Sequence, residues 1–298
     1  MKVLLTGATG FVGRHTLDAL LSKEVEVVAS TRAHPGPKHD GLHWVVADLS
    51  DPISLCHLVR EARATHLVHL GWRAVYGDVS NSRENIDWLR HSLLLATEFI
   101  DAGGTRIVGC GSCFEYDWSF GVCKEDATPL APTTLYGASK NALRQALEGL
   151  ARQAKIGLGW ARVFFVYGHD ENPSRLVAAV ISSLLAGRPA ETSHGRQIRD
   201  YLHVDDVAAG LAALTFSNAE GAFNIASGGT MTLKDIILEA ANQIGRPDLV
   251  RLGARPAQAF EPPIIVGDPT KTRETLGFET KIDLASGIAQ TIANFRAA

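Results

Sequence analysis

Three side chains in this sequence could share one proton-transfer task. Tyr136 and Lys140 stand four residues apart in Leu135-Tyr-Gly-Ala-Ser-Lys140, and Ser112 follows the apolar run Arg106-Ile-Val-Gly-Cys110. On a helix that spacing puts phenol and ammonium on one face. A neighbouring ammonium lowers a phenol's pKa from about 10 toward neutrality. The phenol can then give a proton to a carbinol oxygen, or take one from it, while Ser112 hydrogen-bonds the same oxygen. Tyr-x-x-x-Lys alone equally describes a packed ring beside a snorkelling amine. Its meaning depends on what the rest of the chain places around it.

The first thirteen residues supply that context. Val3 to Leu5 is an apolar run, followed by Gly7-x-x-Gly10-x-x-Gly13 and an amphipathic segment with Leu17, Leu20 and Leu21 at helical spacing. This reads as strand, tight turn and helix, a cradle for a pyrophosphate at a helix N-terminus. A nicotinamide dinucleotide there would supply or accept hydride beside Tyr136. The second strand, Val25 to Ser30, ends in Ser30-Thr31-Arg32, where an NAD site would place a carboxylate for the ribose 2′-hydroxyl. A guanidinium favours a 2′-phosphate instead, so NADP(H) is preferred and NAD(H) remains open. Arg32 has a plain alternative as a solvated loop residue.

Further strands are expected at 42–49, ending in Asp48-Leu49, and at 66–72, with a long helix at about 81–102 before the strand at 106–110. Asp48-Leu49 would lie beside the adenine, and Asp48 could also cap the next helix. The alternation predicts a doubly wound, parallel α/β sheet of Rossmann type. Arg32, Asp48, Trp72 and Ser112 would then share one crevice at the carboxyl ends of the strands.

Taken together, these motifs resemble the extended short-chain dehydrogenases/reductases of the sugar-nucleotide epimerase/dehydratase/ketoreductase type. The resemblance runs through Thr6 to Gly13, Asp48-Leu49, Tyr136 to Lys140, Arg199-Asp-Tyr-Leu-His-Val-Asp-Asp206, Phe223 to Gly228 and Gly267-Asp-Pro-Thr-Lys271. It implies a catalytic set of Ser112, Tyr136 and Lys140. It implies cofactor contacts at Gly7, Thr9, Gly10, Phe11, Val12, Gly13, Thr31, Arg32, Asp48, Leu49, Leu70, Gly71, Trp72 and Val163, besides Tyr136 and Lys140. It implies a nucleotide-sugar substrate held by Ser112, Cys113, Phe114, Phe165, Arg199 and Arg255, the two arginines on the diphosphate. Asn85 stands only loosely at the place of the family's helix asparagine and is not carried over.

The departures narrow the activity. Cys113-Phe114 occupy the places where 4,6-dehydratases of this type carry Asp-Glu, so the acid and base for water elimination are absent. Phe165 replaces the asparagine of many epimerases. With Trp72 and Phe114 it predicts an aromatic pocket, suited to a deoxysugar or another apolar carbonyl compound. The expected activity is NADPH-dependent reduction of a nucleotide-linked 4-keto-6-deoxysugar. An NAD-dependent epimerase is the alternative, and a non-catalytic nucleotide sensor of the same fold is a third reading.

The bulk properties exclude other classes. At 298 residues, 46% hydrophobic and with net charge −3, the chain can bury a large core and has no basic surface for nucleic acid. No apolar stretch approaches the ~20 residues that span a bilayer, so a cytoplasmic protein is expected. No metal site is expected: His66 and His69 should face opposite sides of a strand, and Cys110-x-x-Cys113 has no second ligand pair. The expected dinucleotide-binding domain covers 1–165, with 200–224 returning to it. A smaller C-terminal α/β substrate lobe takes 166–199 and 225–298. A homodimer could use Leu93, Leu94, Leu143 and Leu147, which core burial would explain as well.

Overall fold

The computed structural model describes residues 1–33, 35–73, 80–257 and 261–297. Seven strands form one parallel sheet: β1 (Lys2–Thr6), β2 (Glu26–Thr31), β3 (Leu42–Val46), β4 (His66–His69), β5 (Arg106–Ser112), β7 (Gly157–Val163) and β12 (Gly221–Ile225). Their order across the sheet is β12-β7-β5-β4-β1-β2-β3, all neighbours parallel. The order of connection therefore reverses between β1 and β4, which opens a crevice at their carboxyl ends.

Alternation along the strands builds a core on each face. Val3 and Leu5 of β1 join one cluster with Leu17 and Leu20 of α1 (Phe11–Leu21) and Val207 and Leu211 of α6 (Val204–Phe216). Leu4 points the other way. It packs with Leu55 and Leu58 of α2 (Pro52–Ala62), Leu95 and Phe99 of α3 (Glu84–Asp101), and Leu143 and Leu147 of α4 (Leu135–Ala154). Fully burying one such side chain contributes about 1.5–3 kcal/mol. Leu143 and Leu147 are thus consumed inside the monomer and leave nothing for a dimer contact, while Leu93 and Leu94 are partly buried against the same cluster.

Short strands carry the chain beyond the sheet. β6 (Val122–Cys123) pairs with β14 (Ile264–Gly267), which also pairs with β10 (Ile198–Arg199); β8 (Phe165–Tyr167) pairs with β11 (Tyr201–His203), and β9 (Ala190–Thr192) with β13 (Val250–Leu252). A third cluster joins Ile181 of α5 (Leu176–Leu185), Ile236 and Ile237 of α7 (Leu233–Ile244), and Ile288 and Ile292 of α9 (Leu284–Ala297). The remaining helix, α8 (Thr270–Leu276), precedes it in the chain. Among the described residues, no helix is long and apolar enough to cross a membrane.

Candidate active site

The turn after β1 is shaped by glycine alone. Gly7 has φ +76° and its carbonyl accepts from Gly10 N at 2.9 Å. A Cβ at Gly13 would stand 1.9 Å from that same carbonyl oxygen, so any larger residue would push helix from strand. The crevice beside this turn encloses about 230 Å³, and its walls include Gly7, Thr9, Gly10, Thr31, Arg32, Leu49, Leu70, Gly71 and Trp72. Nine expected cofactor residues therefore meet in one place. Ser30, Ala47, Arg73 and Trp88, which sequence reasoning did not select as contacts, complete the wall, and no carboxylate stands among the described residues lining it. The N-terminus of α1 and the open backbone at Gly7 and Gly10 fit a dinucleotide pyrophosphate.

Other expected contacts lie outside that wall. Phe11 and Val12 begin α1 and lean on the first core, Gly13 packs against the turn, and Val163 is buried at the end of β7. The Asp48 carboxylate accepts from Ser50 N (2.9 Å) and Ser50 Oγ (2.7 Å), which holds its pKa below the usual carboxylate range. It does not cap α2. Asp51 does, accepting from Ile53 N and Ser54 N.

Ser112 is the last residue of β5 rather than the first beyond it. Its Oγ accepts from Phe114 N at 3.3 Å, while Glu115 Oε1 accepts from Ser112 N at 2.8 Å, a reciprocal capping box. Glu115 is itself held by Arg162 Nε (2.8 Å) and Trp160 Nε1 (3.0 Å), all buried. Sequence reasoning passed over Glu115, although Ser-x-x-Glu carries the capping signal. Thr134 caps α4 by accepting from Gly137 N at 3.1 Å. A Cβ at Gly137 would meet Phe114 O at 2.1 Å, so only glycine lets α4 bring Tyr136 against the segment that carries Ser112.

Lys140 is buried and Tyr136 half-buried, with the Ser112 side chain close enough to the Tyr136 hydroxyl to favour its ionised form. The electrostatics differ from the expectation of a phenol made acidic by its lysine. Lys140 Nζ donates to Cys110 O at 2.9 Å and lies 4.0 Å from the centre of the Trp72 ring, against 5.8 Å from the Tyr136 ring. Burial pushes the Lys140 ammonium down to about 8 and pushes the Tyr136 phenol up, so desolvation is the largest cause of both shifts. Asn85, left aside in the sequence reading, accepts from Trp72 Nε1 at 2.9 Å and so fixes the ring beneath Lys140.

Rings continue from there into a second cleft. Phe114 lies 5.7 Å from Tyr136 and 6.4 Å from Phe165, and Phe165 lies 5.4 Å from Tyr201. That cleft, about 380 Å³, is walled by Phe165, Tyr201, Arg199, Arg255 and Glu261 among others. Arg199 is buried and already engaged: it donates to Glu261 Oε1 (3.0 Å) and Ile198 O (2.8 Å). Glu261 gave no sequence signal, since only packing sets it against an arginine 62 residues away. Cys113 is 1% exposed within the first core, so it has no open face for a substrate. Burial raises the thiols of both Cys110 and Cys113, which removes the reactive thiolate that a redox role would need. His69 is gripped between Thr6 Oγ1 (2.7 Å) and Ser92 Oγ (2.8 Å), and burial lowers it to about 3.

Residues 3–226 match the NAD dependent epimerase/dehydratase family. The chain belongs to that family. It is 29% identical over 324 residues to a UDP-glucose 4-epimerase of Neisseria meningitidis serogroup B, covering 95% of this chain and 94% of the relative. It is 26% identical over 250 residues to the dTDP-6-deoxy-L-talose 4-dehydrogenase (NAD(+)) of Aggregatibacter actinomycetemcomitans, covering 80% and 89%. The crystal structure of a Thermus thermophilus UDP-glucose 4-epimerase in complex with NAD superposes with a TM-score of 0.89 at 25% identity, covering 100% of both chains.

Proposed function

We propose that this protein reduces the keto group of a nucleotide-linked 4-keto-6-deoxysugar with NADPH. The observation that carries the reading is the run of rings that links two clefts, from Trp72 in the first through Tyr136 and Phe114 to Phe165 in the second. A glycine-walled crevice with two arginines and no carboxylate among its described lining lies on one side. An aromatic, arginine-bearing cleft continues on the other through Phe114 and Phe165. Bound in the first, the nicotinamide dinucleotide supplies hydride to a carbonyl carbon.

The chain's own residues do the rest. Gly7, Gly10 and the N-terminus of α1 take the pyrophosphate, and Arg32 takes the 2′-phosphate with a forked pair of donors. Tyr136, kept neutral by burial, holds the proton that the developing alkoxide needs. Ser112 hydrogen-bonds the same oxygen and is fixed by Glu115. Lys140 holds the ribose hydroxyls from its place between Trp72 and Cys110 O. Arg199 and Arg255 bind the diphosphate, Arg199 by exchanging its bond to Glu261. Phe114, Phe165 and Trp72 suit a sugar whose C6 has lost its hydroxyl. Similarity to an enzyme named as a 6-deoxytalose 4-dehydrogenase supports chemistry at C4 of a 6-deoxysugar.

A nucleotide-sugar epimerase is the second reading, favoured by the end-to-end similarity to a UDP-glucose 4-epimerase. Titration of the purified protein with NADPH and NADH, with assay of the denatured protein for retained nucleotide, separates the two. Tight exchangeable NADPH, weak NADH and loss of that preference in Arg32→Ala are expected. A stoichiometric, non-exchangeable NAD would overturn the reductase and leave the epimerase.

A further inference from the structure

Away from both clefts, where α1, the turn after β8 and the start of α6 meet, lies a cluster of histidines that the reaction does not use. His15 comes from α1, His169 follows Gly168, and Asp205 sits in the first turn of α6. One ligand atom from each lies within 4.8 Å of the others. The His15 and His169 rings stand edge to face with centroids 4.2 Å apart.

Hydrogen bonding does not close this cluster. His15 Nδ1 and Asp205 Oδ1 are 2.7 Å apart, yet His15 Nε2 is buried without a partner, and the His15 side chain is only 5% exposed. His203, whose Nδ1 lies 3.4 Å from Asp205 Oδ2, also has a buried Nε2 without a partner. A buried polar atom left unsatisfied costs about 1–3 kcal/mol, and two stand on either side of one carboxylate. An ion held jointly by His15 Nδ1 and Asp205 would replace the proton they share and leave Nε2 as the N–H of the neutral ring.

We propose that His15, His169 and Asp205 form a binding site for a transition-metal dication of the zinc class, with His203 capping the helix that carries Asp205 by accepting from the Asp205 backbone N at 3.4 Å. Two imidazoles and a carboxylate suit zinc, copper or nickel, whereas magnesium and calcium take oxygen ligands. Bonds of about 2.0–2.2 Å place tetrahedral ligand atoms about 3.4 Å apart, so the His15–Asp205 pair at 2.7 Å must open while His169 closes in from within 4.8 Å. His169, half-buried on a turn, is the residue free to make that move. The N-terminus of α6 opposes a cation by about 0.3–1 kcal/mol, small beside the affinity of such ligands for zinc. A bound ion would pin the turn after β8 to α1. Arg14 already links these parts, pairing with Asp170 at 3.1 Å and donating to Thr9 O at 3.1 Å.

The test uses the full chain stripped with a chelator and titrated with Zn²⁺ and Co²⁺, read by calorimetry, visible absorption and thermal unfolding. One ion per chain is expected. Co²⁺ should give ligand-field bands without a thiolate charge-transfer band, and Zn²⁺ should raise Tm. His169→Ala should abolish binding while keeping the apo-protein Tm, Asp205→Asn, which removes a ligand's charge, should weaken it by more than the about 10- to 100-fold cost of losing an outer partner, and the exposed-site control His57→Ala should bind like wild type. Equal binding by wild type and His169→Ala, a thiolate band, or no stoichiometric binding would overturn the proposal. Should His169→Ala lose its apo Tm, unchanged affinity in Asp205→Asn overturns it instead.

Discussion

The two clefts linked by the Trp72, Tyr136, Phe114 and Phe165 rings are prepared in different ways. The glycine cleft presents backbone and guanidinium groups, and its shape is set by close approach: Gly13 against Gly7 O, Gly7 against Leu70. The arginine cleft presents a cation already bonded to a carboxylate, Arg199 to Glu261. An anion entering the first meets backbone and Arg32, with Arg73 held only by an exposed pair to Glu84 at 3.6 Å. One entering the second displaces Glu261 or shares Arg199 with it, so its net gain is a difference of two interactions. Under the proposed function, the first cleft binds by fixed shape and the second by exchange of partners.

Four perturbations test that contrast. The largest effect belongs to the rings between the clefts: Tyr136→Phe should lower kcat about 10²- to 10⁴-fold with dinucleotide affinity nearly unchanged, measured by steady-state kinetics and fluorescence titration. Loss of binding in parallel with kcat would make Tyr136 a structural residue. Next is the exchange cleft, where Arg199→Ala should raise KM for the nucleotide sugar about 10- to 100-fold with kcat nearly kept, since the diphosphate is remote from the reacting carbon. An unchanged KM would show that Glu261 never releases Arg199.

In the shape-defined cleft, Gly13→Ala should cost about 1–3 kcal/mol of stability in chemical denaturation and weaken dinucleotide binding, because its Cβ meets a backbone oxygen that cannot swing away. Normal binding with full stability would mean the turn is looser than it looks. The smallest effect is in pH. Lys140 titrates near 8 in the folded chain instead of 10.5, so kcat/KM should fall only about twofold from pH 7 to 8 and steeply above. Stability moves the other way. Between about 8 and 10.5 the unfolded chain binds the extra proton, so the Lys140 contribution to folding stability rises with pH across that window. In Lys140→Met that rise should flatten in pH-dependent denaturation.

How much of this was legible follows from how far the information travels along the chain. The glycine turn and its helix span thirteen consecutive residues, so their spacing discloses the cradle directly. Tyr136 and Lys140 are one helical turn apart, and their shared face is equally local. The protonation states were not legible. They depend on burial by Trp72, Cys110 and Phe114, from three other segments, and burial reversed the expected acidity of Tyr136. Leu143 and Leu147 show the same limit, since an apolar helix face looks alike whether it meets a partner or its own core. Glu261 and the His15–His169–Asp205 cluster join residues far apart in sequence, with no local pattern to announce them.

Trp72 carries a practical consequence. Of the five tryptophans, it is the one whose indole stacks on Lys140, bonds to Asn85 and walls the glycine cleft. An indole's emission responds to a nearby charge and to an absorbing neighbour. The yield of Trp72 should therefore change as Lys140 gains or loses its proton, and again when the cleft fills. The chain has a native light-emitting probe in the wall of its first cleft, so occupancy and protonation can be followed in real time without a label.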